Sequence, residues 1–140
     1  MCGYINNKKT SVATEDMTCY KVLEVIVDKN TGQTAYRSPN FTDYQYRIGE
    51  TYKETLGLIR TKSHCTFGKY RTTTGLYSFE TISIAQEMCM EWNYMFSTKN
   101  FVLFECIIPK GSKYYKSLDF QITQLVSDQL QVIRMIKERQ

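Results

Sequence analysis

The only histidine in the sequence, His64, is followed directly by Cys65, so a nucleophile and a general base come near each other here. Neighbouring residues on a strand point to opposite faces, however, and the partners of a catalytic pair normally meet from distant positions in the chain. One histidine in 140 residues also leaves few members for a hydrolytic triad. We therefore expect His64 to have a surface or packing role and assign no catalytic residue.

The residue types that bind metals and cofactors lack the spacing that such sites need. The cysteines stand at positions 2, 19, 65, 89 and 106 and form no Cys-x-x-Cys pair, which does not fit a zinc site. The sequence contains no Walker A motif, no dinucleotide-binding glycine motif and no His-Glu-x-x-His. We expect neither a metal nor a cofactor.

Two segments have features that suit a ligand. In residues 74–81 a glycine-marked strand leads into a helix, so Ser78 and nearby backbone N–H groups could meet an anion; a plain N-cap at Ser78 is the alternative. In residues 101–115 a buried strand ends in a basic, aromatic turn, where Lys110 beside Tyr114 suits a nucleotide. The alternative there is a solvated turn with packed tyrosines.

Hydrophobic periodicity predicts the elements that position these residues. Apolar residues at helical spacing, from Ile82 to Trp92, predict an amphipathic helix over 80–95. Residues 1–17 have no periodicity and are predicted to be a loose N-terminal arm before a single domain, 18–140. Runs of β-branched and aromatic residues predict strands over 18–27, 33–37, 44–47, 50–54, 72–77, 101–108, 119–123 and 129–137. The predicted fold class is α+β, a mixed and mostly antiparallel sheet packed against one or two helices.

Composition narrows the class of protein further. The net charge of +4 is spread along the chain, which does not favour a nucleic-acid binder, whereas a phosphate-bearing small ligand needs only one or two cations. No apolar run is long enough to span a bilayer, so we expect no membrane contact. Widely spaced cysteines and a start without an apolar signal core predict five free thiols and a cytoplasmic location, in the host cytoplasm if the protein is viral.

Short motifs across most of the chain resemble a family of small uncharacterised domains from phages and bacteria. That family has an initial Tyr-Lys strand, a Tyr-x-x-Gly turn, a glycine-led segment entering a helix, and a final strand after Ser-Asp. The matching residues are Tyr20-Lys21, Tyr46-Arg47-Ile48-Gly49, residues 75–79 and residues 127–133. This chain has Tyr77 and Phe79 where the family usually carries a His and a Cys, so no role of that His is carried over.

The chain also resembles, more distantly, ADP-ribosyltransferase-like domains. These have an Arg on an early strand, a Ser at a strand-to-helix junction and a catalytic Glu on a late strand; Lys21, Ser78 and Gln131 stand at those places here. The turn Pro109-Lys110-Gly111 also fits that family. The neutral amide of Gln131 cannot supply the charge that the family uses to stabilise an oxocarbenium-like transition state. The resemblance implies binding rather than turnover of a dinucleotide, with Lys21, Ser78 and Gln131 in one cleft and Tyr77 or Tyr114 stacking on a base.

Three functions follow from these observations. The first is a non-catalytic binding domain, viral or phage-borne, that sequesters or senses a nucleotide or ADP-ribose-like ligand between Ser78 and Lys110. The second is a structural protein whose exposed tyrosines make an oligomer or virion contact. The third, with least support, is a transferase-like enzyme.

Overall fold

The computed structural model describes residues 4–5, 10–39, 45–60, 70–119 and 122–136. These residues form thirteen strands and one helix, α1 (Ile82–Met95). The strands are β1 (Tyr4–Ile5), β2 (Ser11–Val12), β3 (Met17–Val27), β4 (Thr34–Arg37), β5 (Gln45–Tyr46), β6 (Thr51–Lys53), β7 (Gly57–Arg60), β8 (Tyr70–Thr74), β9 (Leu76–Phe79), β10 (Phe101–Ile108), β11 (Lys113–Asp119), β12 (Ile122–Ser127) and β13 (Gln129–Ile136). His64, Cys65 and Cys2 lie outside the described residues.

A large antiparallel sheet dominates the fold. Its order is β2-β11-β12-β9-β3-β10-β13-β6, with β4 paired to β3 and β5 paired to β4. A smaller sheet has the order β1-β8-β7. The predicted antiparallel sheet is therefore confirmed. The described part of the chain has no parallel pair and no second helix, so it is closer to an all-β fold than to the predicted α+β class.

The central strands β3 and β10 pair along eight residues, from Phe101 opposite Glu24 to Ile108 opposite Met17. Both are long runs of β-branched and aromatic residues, and both are covered on their two faces, which is why the sequence identifies them well. The prediction for 101–108 is confirmed residue for residue. Gly32 takes a positive φ of 72° in the turn between β3 and β4, a conformation that glycine adopts without steric cost.

Alternate side chains of β3 and β10 enter two different cores. One face carries the interior core, which includes Cys19, Leu23, Phe104 and Cys106. The other face meets α1, whose buried residues Ala85 and Cys89 pack on Val22, Phe79, Phe101 and Leu103. Strands β3 and β10 thus lie between the interior core and the helix.

The helix begins two residues later than predicted. The N-cap of the helix is Thr81. Ser78 lies inside β9 with its side chain buried, so the prediction of an N-cap at Ser78 is wrong. The reason is pairing: Leu76, Tyr77, Ser78 and Phe79 each have a partner on β12, which holds this segment extended until Glu80.

Two other segments differ from the sequence-based expectation. The described part of residues 1–17 packs against the rest of the chain. Strand β2 pairs with β11, and the buried Ala13 forms backbone hydrogen bonds with Ser112 and Gly111. Tyr114 belongs to β11, a seven-residue strand that starts two residues after Gly111, rather than to an extended turn. Within the described residues no helix has the length and apolarity needed to cross a membrane.

Candidate functional site

Two of the predicted site residues, Lys21 and Ser78, lie side by side in the interior core. Tyr20 on β3 pairs with Phe79 on β9, so the residues beside them point together to the opposite face of the sheet. Ser78 is 2% exposed and Lys21 is 6% exposed. The pairing of two strands that are distant in sequence therefore brings a cation and a hydroxyl into one buried cluster.

The Lys21 ammonium is held by a carbonyl and an aromatic ring. Its Nζ donates a hydrogen bond to the backbone oxygen of Tyr77 at 2.5 Å and lies 5.1 Å from the centre of the Tyr46 ring. Burial lowers the pKa of Lys21 from 10.5 to about 8, and the nearby thiols of Cys106 and Cys19 offset part of this effect. The ammonium is mainly charged at neutral pH but loses its proton far more readily than an exposed lysine.

Two thiols flank Lys21, because Cys19 and Cys106 face each other across β3 and β10. Burial raises the pKa of Cys19 to about 11, partly offset by the Ser78 hydroxyl and by Lys21. Burial also raises the pKa of Cys106 well above its ordinary range. Both thiols are therefore protonated at neutral pH, and neither is a ready nucleophile.

The other predicted site residues do not join this cluster. Gln131 pairs with Ile107, whose side chain points away from the interior core, and its amide donates to the Gly49 carbonyl at 3.3 Å. Lys110 lies in the exposed turn after β10, where its backbone N–H donates to Asp16 Oδ1 at 2.9 Å. The three-residue convergence of Lys21, Ser78 and Gln131 is not found, because Gln131 faces the other side of the sheet.

The two tyrosines have structural contacts. The Tyr77 hydroxyl is 2.9 Å from Thr72 Oγ1, and its ring packs beside Tyr115 and Val126 on the outer side of the sheet. Tyr114 is half-buried at the margin of the interior core. Only the backbone carbonyl of Tyr77 belongs to the Lys21 cluster.

A cavity of about 760 Å³ opens beside Tyr46. We call it the hairpin groove; it is lined by residues 26–28, 33–36 and 45–48. The β3–β4 hairpin forms one wall, and pairing of Tyr36 with Tyr46 brings β5 and the following turn alongside it. A tight turn at Gly32 and a short β4–β5 ladder therefore build this concavity.

The two tyrosines that line the groove are held by aromatic contacts on their core side. Tyr36 packs edge-on against Phe104 with ring centres 4.8 Å apart, and Tyr46 packs in the same way against Tyr52. Val27 and Ile48 add exposed apolar surface, 60% and 50% exposed. The groove thus combines rigid aromatic side chains with an apolar rim.

Charge in the hairpin groove comes from Arg47 and Asp28. Asp28 binds its own turn, since its Oδ1 accepts the Asn30 N–H at 2.8 Å. Arg47 is exposed and forms no ion pair with any residue that the structure describes. Among the described residues the guanidinium therefore has no carboxylate partner, and it could receive an anion.

A second, more open cavity of about 660 Å³ lies near the start of β11. Lys53 and Lys113 stand there beside Glu54 and Asp128, so the positive and negative charges balance. Asp128 Oδ1 already accepts the Lys113 N–H at 2.9 Å. This cavity has no excess charge with which to select an ion. Across the described ranges, no three His, Cys, Asp or Glu side chains are placed to hold a metal ion.

Comparison of the chain with protein-family models, with curated proteins and with solved structures finds no match in any of the three. Sequence reasoning missed the hairpin groove, although the Tyr46-Arg47-Ile48-Gly49 motif that lines it was visible in the sequence.

Proposed function

We propose that the protein is a non-catalytic binding domain and that its hairpin groove takes a nucleotide or an ADP-ribose-like ligand. The observation that carries this proposal is that the exposed Arg47 and the half-buried Tyr36 line one cavity, together with Tyr46. A guanidinium suits a phosphate, and an aromatic ring suits a base. The cavity volume of about 760 Å³ lies in the usual range for small-molecule sites.

The remaining groove residues fit the same ligand. Gln33 and Gln45 line the cavity, and their amides can donate to and accept from the edge of a base. Apolar contact from Ile26, Val27 and Ile48 would cover the sugar and the edge of the base. Binding without turnover is supported by the lining itself, whose described residues include no paired nucleophile and base. In a phage or viral setting, such a domain would sequester or sense a host nucleotide signal in the cytoplasm.

Titration calorimetry with ADP and ADP-ribose tests the proposal, with adenosine as the ligand that lacks phosphate. We expect ADP to bind more tightly than adenosine and to raise the melting temperature. Arg47→Gln should weaken ADP binding by tenfold or more, because one charge-assisted contact to phosphate contributes about 1.5–3 kcal/mol. Lys53→Gln is the matched control, since it removes one positive charge outside the groove. The proposal is wrong if none of the nucleotides binds, or if Arg47→Gln binds ADP as well as the wild type.

A protein-interaction role is the second candidate, and the C-terminal end of α1 favours it. Met90, Tyr94, Met95 and Phe96 are large, apolar and exposed there, with Tyr94 89% exposed. Light scattering after size-exclusion chromatography tests for a homo-oligomer. If this surface mediates assembly, Tyr94→Glu should give a monomer, while Ser83→Glu near the start of the same helix should not. A monomeric wild type at all accessible concentrations would rule out assembly of the chain with itself.

The transferase alternative has the least support. It needs a carboxylate at position 131 in the same cleft as Lys21, whereas Gln131 is neutral and faces the other side of the sheet.

A further inference from the structure

Lys21 and the hairpin groove share one aromatic ring. The Lys21 Nζ lies 5.1 Å from the centre of the Tyr46 ring in the interior core, and Tyr46 also lines the groove. Tyr46 is only 4% exposed, and it belongs to the interior core as well as to the lining of the cavity. A ligand in the groove would therefore sit close to a positive charge that it does not touch.

The groups around Lys21 cannot neutralise its charge. Cys19 faces it from its own strand, Cys106 from β10, the Tyr77 carbonyl from β9 and the Tyr46 ring from β5. Both thiols stay protonated at neutral pH, because burial raises their pKa. Lys21 makes no salt bridge with any described residue. The ammonium is thus a buried cation held by dipoles and a ring, and a new anion nearby would stabilise its charged form.

We propose that Lys21 couples ligand binding to proton uptake: a phosphate-bearing ligand in the hairpin groove binds preferentially to the protein whose Lys21 is protonated. This inference rests on the proposed function and adds the role of a positioning residue that acts through Tyr46. The charge on Lys21 would hold the Tyr46 ring in place and contribute an attractive potential across it. By linkage, the bound anion must favour protonation of Lys21 to the same degree.

The size of the effect follows from Coulomb's law. An anion about 10 Å from the ammonium, at an effective dielectric constant of about 20, raises the pKa of Lys21 by about one unit. Starting from a pKa of about 8, binding at pH 8.5 then takes up about half a proton per ligand. Affinity should fall up to about tenfold between pH 7 and pH 10.5, as Lys21 in the free protein loses its proton.

Calorimetry of ADP binding at pH 8.5, in buffers of different ionisation enthalpy, measures this proton uptake. The phosphate groups are fully ionised at this pH, so they contribute no proton. We expect about half a proton for the wild type and none for Lys21→Met, which keeps a similar side-chain length without the charge. Lys99→Met is the matched control, because Lys99 Nζ lies 5.6 Å from the centre of an exposed ring, that of Phe96, and its charge should not couple to the groove. Adenosine should cause no uptake in any of the proteins.

The outcomes separate this inference from the function on which it rests. Failure of ADP to bind the wild type overturns the proposed function. Binding of ADP with equal proton uptake in Lys21→Met and wild type overturns the coupling and leaves the function standing. NMR of ¹³Cε-labelled lysine in the wild type gives the same answer without a variant. A lysine resonance that titrates near pH 8 should move up by about one pH unit with ADP, and an unchanged midpoint contradicts the coupling.

Discussion

A buried lysine without a carboxylate partner lowers the stability of the fold at neutral pH. The pKa of Lys21 is lowered from 10.5 to about 8, so the folded protein binds fewer protons than the unfolded chain between these two values. Stability from this group therefore rises with pH from about 8 to 10.5. Below pH 8 the penalty of burying the charge is fully present, at about 3 kcal/mol.

Lys21→Met should accordingly raise the free energy of unfolding at pH 7. We expect a gain of about 1–2 kcal/mol, because removing the charge relieves about 3 kcal/mol while the Tyr77 carbonyl loses a donor worth about 1–2 kcal/mol. The gain should shrink by about 1 kcal/mol between pH 7 and pH 9, since Lys21 in the wild type loses its proton over this range. Urea denaturation at pH 7, 8 and 9 measures both effects, with Lys99→Met as the surface control. A variant less stable than the wild type at pH 7 would mean that the ammonium contacts outweigh its desolvation.

Above pH 9 the two buried thiols lower the stability of both the wild type and Lys21→Met. The pKa values of Cys19 and Cys106 are raised from 9.0 by burial, so the unfolded chain ionises at these positions before the folded protein does. Stability contributed by the thiols is lost as the pH rises above 9. Cys19→Ala should therefore flatten the decline between pH 9 and pH 10.5, measured by the same urea titrations. An equally steep decline would exclude this thiol as a source of the loss.

At the level of elements, the junction of β8 and β9 depends on a glycine. Gly75 has a φ of 141°, and a Cβ added there would lie 2.5 Å from Val126 Cγ1 and 3.1 Å from Leu56 Cδ2. The close approach places the small sheet against β12, where Leu56 and Leu58 pack beside Val126. A side chain at this position would separate the two sheets.

Gly75→Ala should destabilise the protein by about 2–4 kcal/mol, from backbone strain and overpacking together. Gly111→Ala is the matched control: its φ is 89°, but nothing lies within 4 Å of the added Cβ. That variant should lose only about 1 kcal/mol, from the backbone alone. Urea denaturation of the two variants measures the loss of unfolding free energy. Equal losses would show that the structure relaxes easily around the contact with Val126.

The side-chain amide of Asn93 forms two hydrogen bonds between the helix and β10. Asn93 Nδ2 donates to the Phe101 carbonyl at 3.0 Å, and the Phe101 N–H donates to Asn93 Oδ1 at 2.8 Å. Asn93→Ala should lower the free energy of unfolding by about 2 kcal/mol, because it leaves two backbone groups without this partner. Gln86→Ala, at an exposed site of the same helix, should change it by less than about 0.5 kcal/mol. Similar losses of unfolding free energy in the two variants would show that the two Asn93 hydrogen bonds add no stability.

The sequence predicts those elements whose signal is local. Residues 101–108 form a continuous β-favouring run, and the helix repeats its apolar residues at 3.6 spacing, so both are found almost where expected. Strand β11 was missed because its polar residues, from Lys113 onward, follow a Pro and a Gly that are typical of a turn. Serine is a residue type that favours helix N-caps, but pairing with Leu125 keeps Ser78 in a strand.

The candidate site could be predicted only in part, for a related reason. Lys21 and Ser78 do come together, but the hairpin groove depends on pairing between Tyr36 and Tyr46 and on the path of the chain that follows. These are tertiary contacts without a local sequence signal. Gln131 was placed in the cleft by order along the chain, and the register of β13 against β10 turns it to the other face.

At the scale of the whole molecule, β3 and β10 join the cores into one unit. Leu23 and Phe104 enter the interior core, while Val22 and Leu103 contact the helix layer. Each core therefore needs the same two strands to stay paired. A domain built in this way should unfold as one cooperative unit.

The described cysteines report on both cores and test this cooperativity. Cys19 and Cys106 lie in the interior core, and Cys89 lies on the face of the helix that packs against the sheet. All three are free thiols with at most 1% exposure. Pulsed alkylation at increasing urea, followed by digestion and mass spectrometry, measures the protection of each thiol separately. We expect one shared midpoint that coincides with the loss of circular dichroism, because a thiol in either core becomes accessible only when the common strands separate. Earlier labelling of Cys89 than of Cys19 and Cys106 would show that the helix layer opens by itself, and the chain would then have two units of stability instead of one.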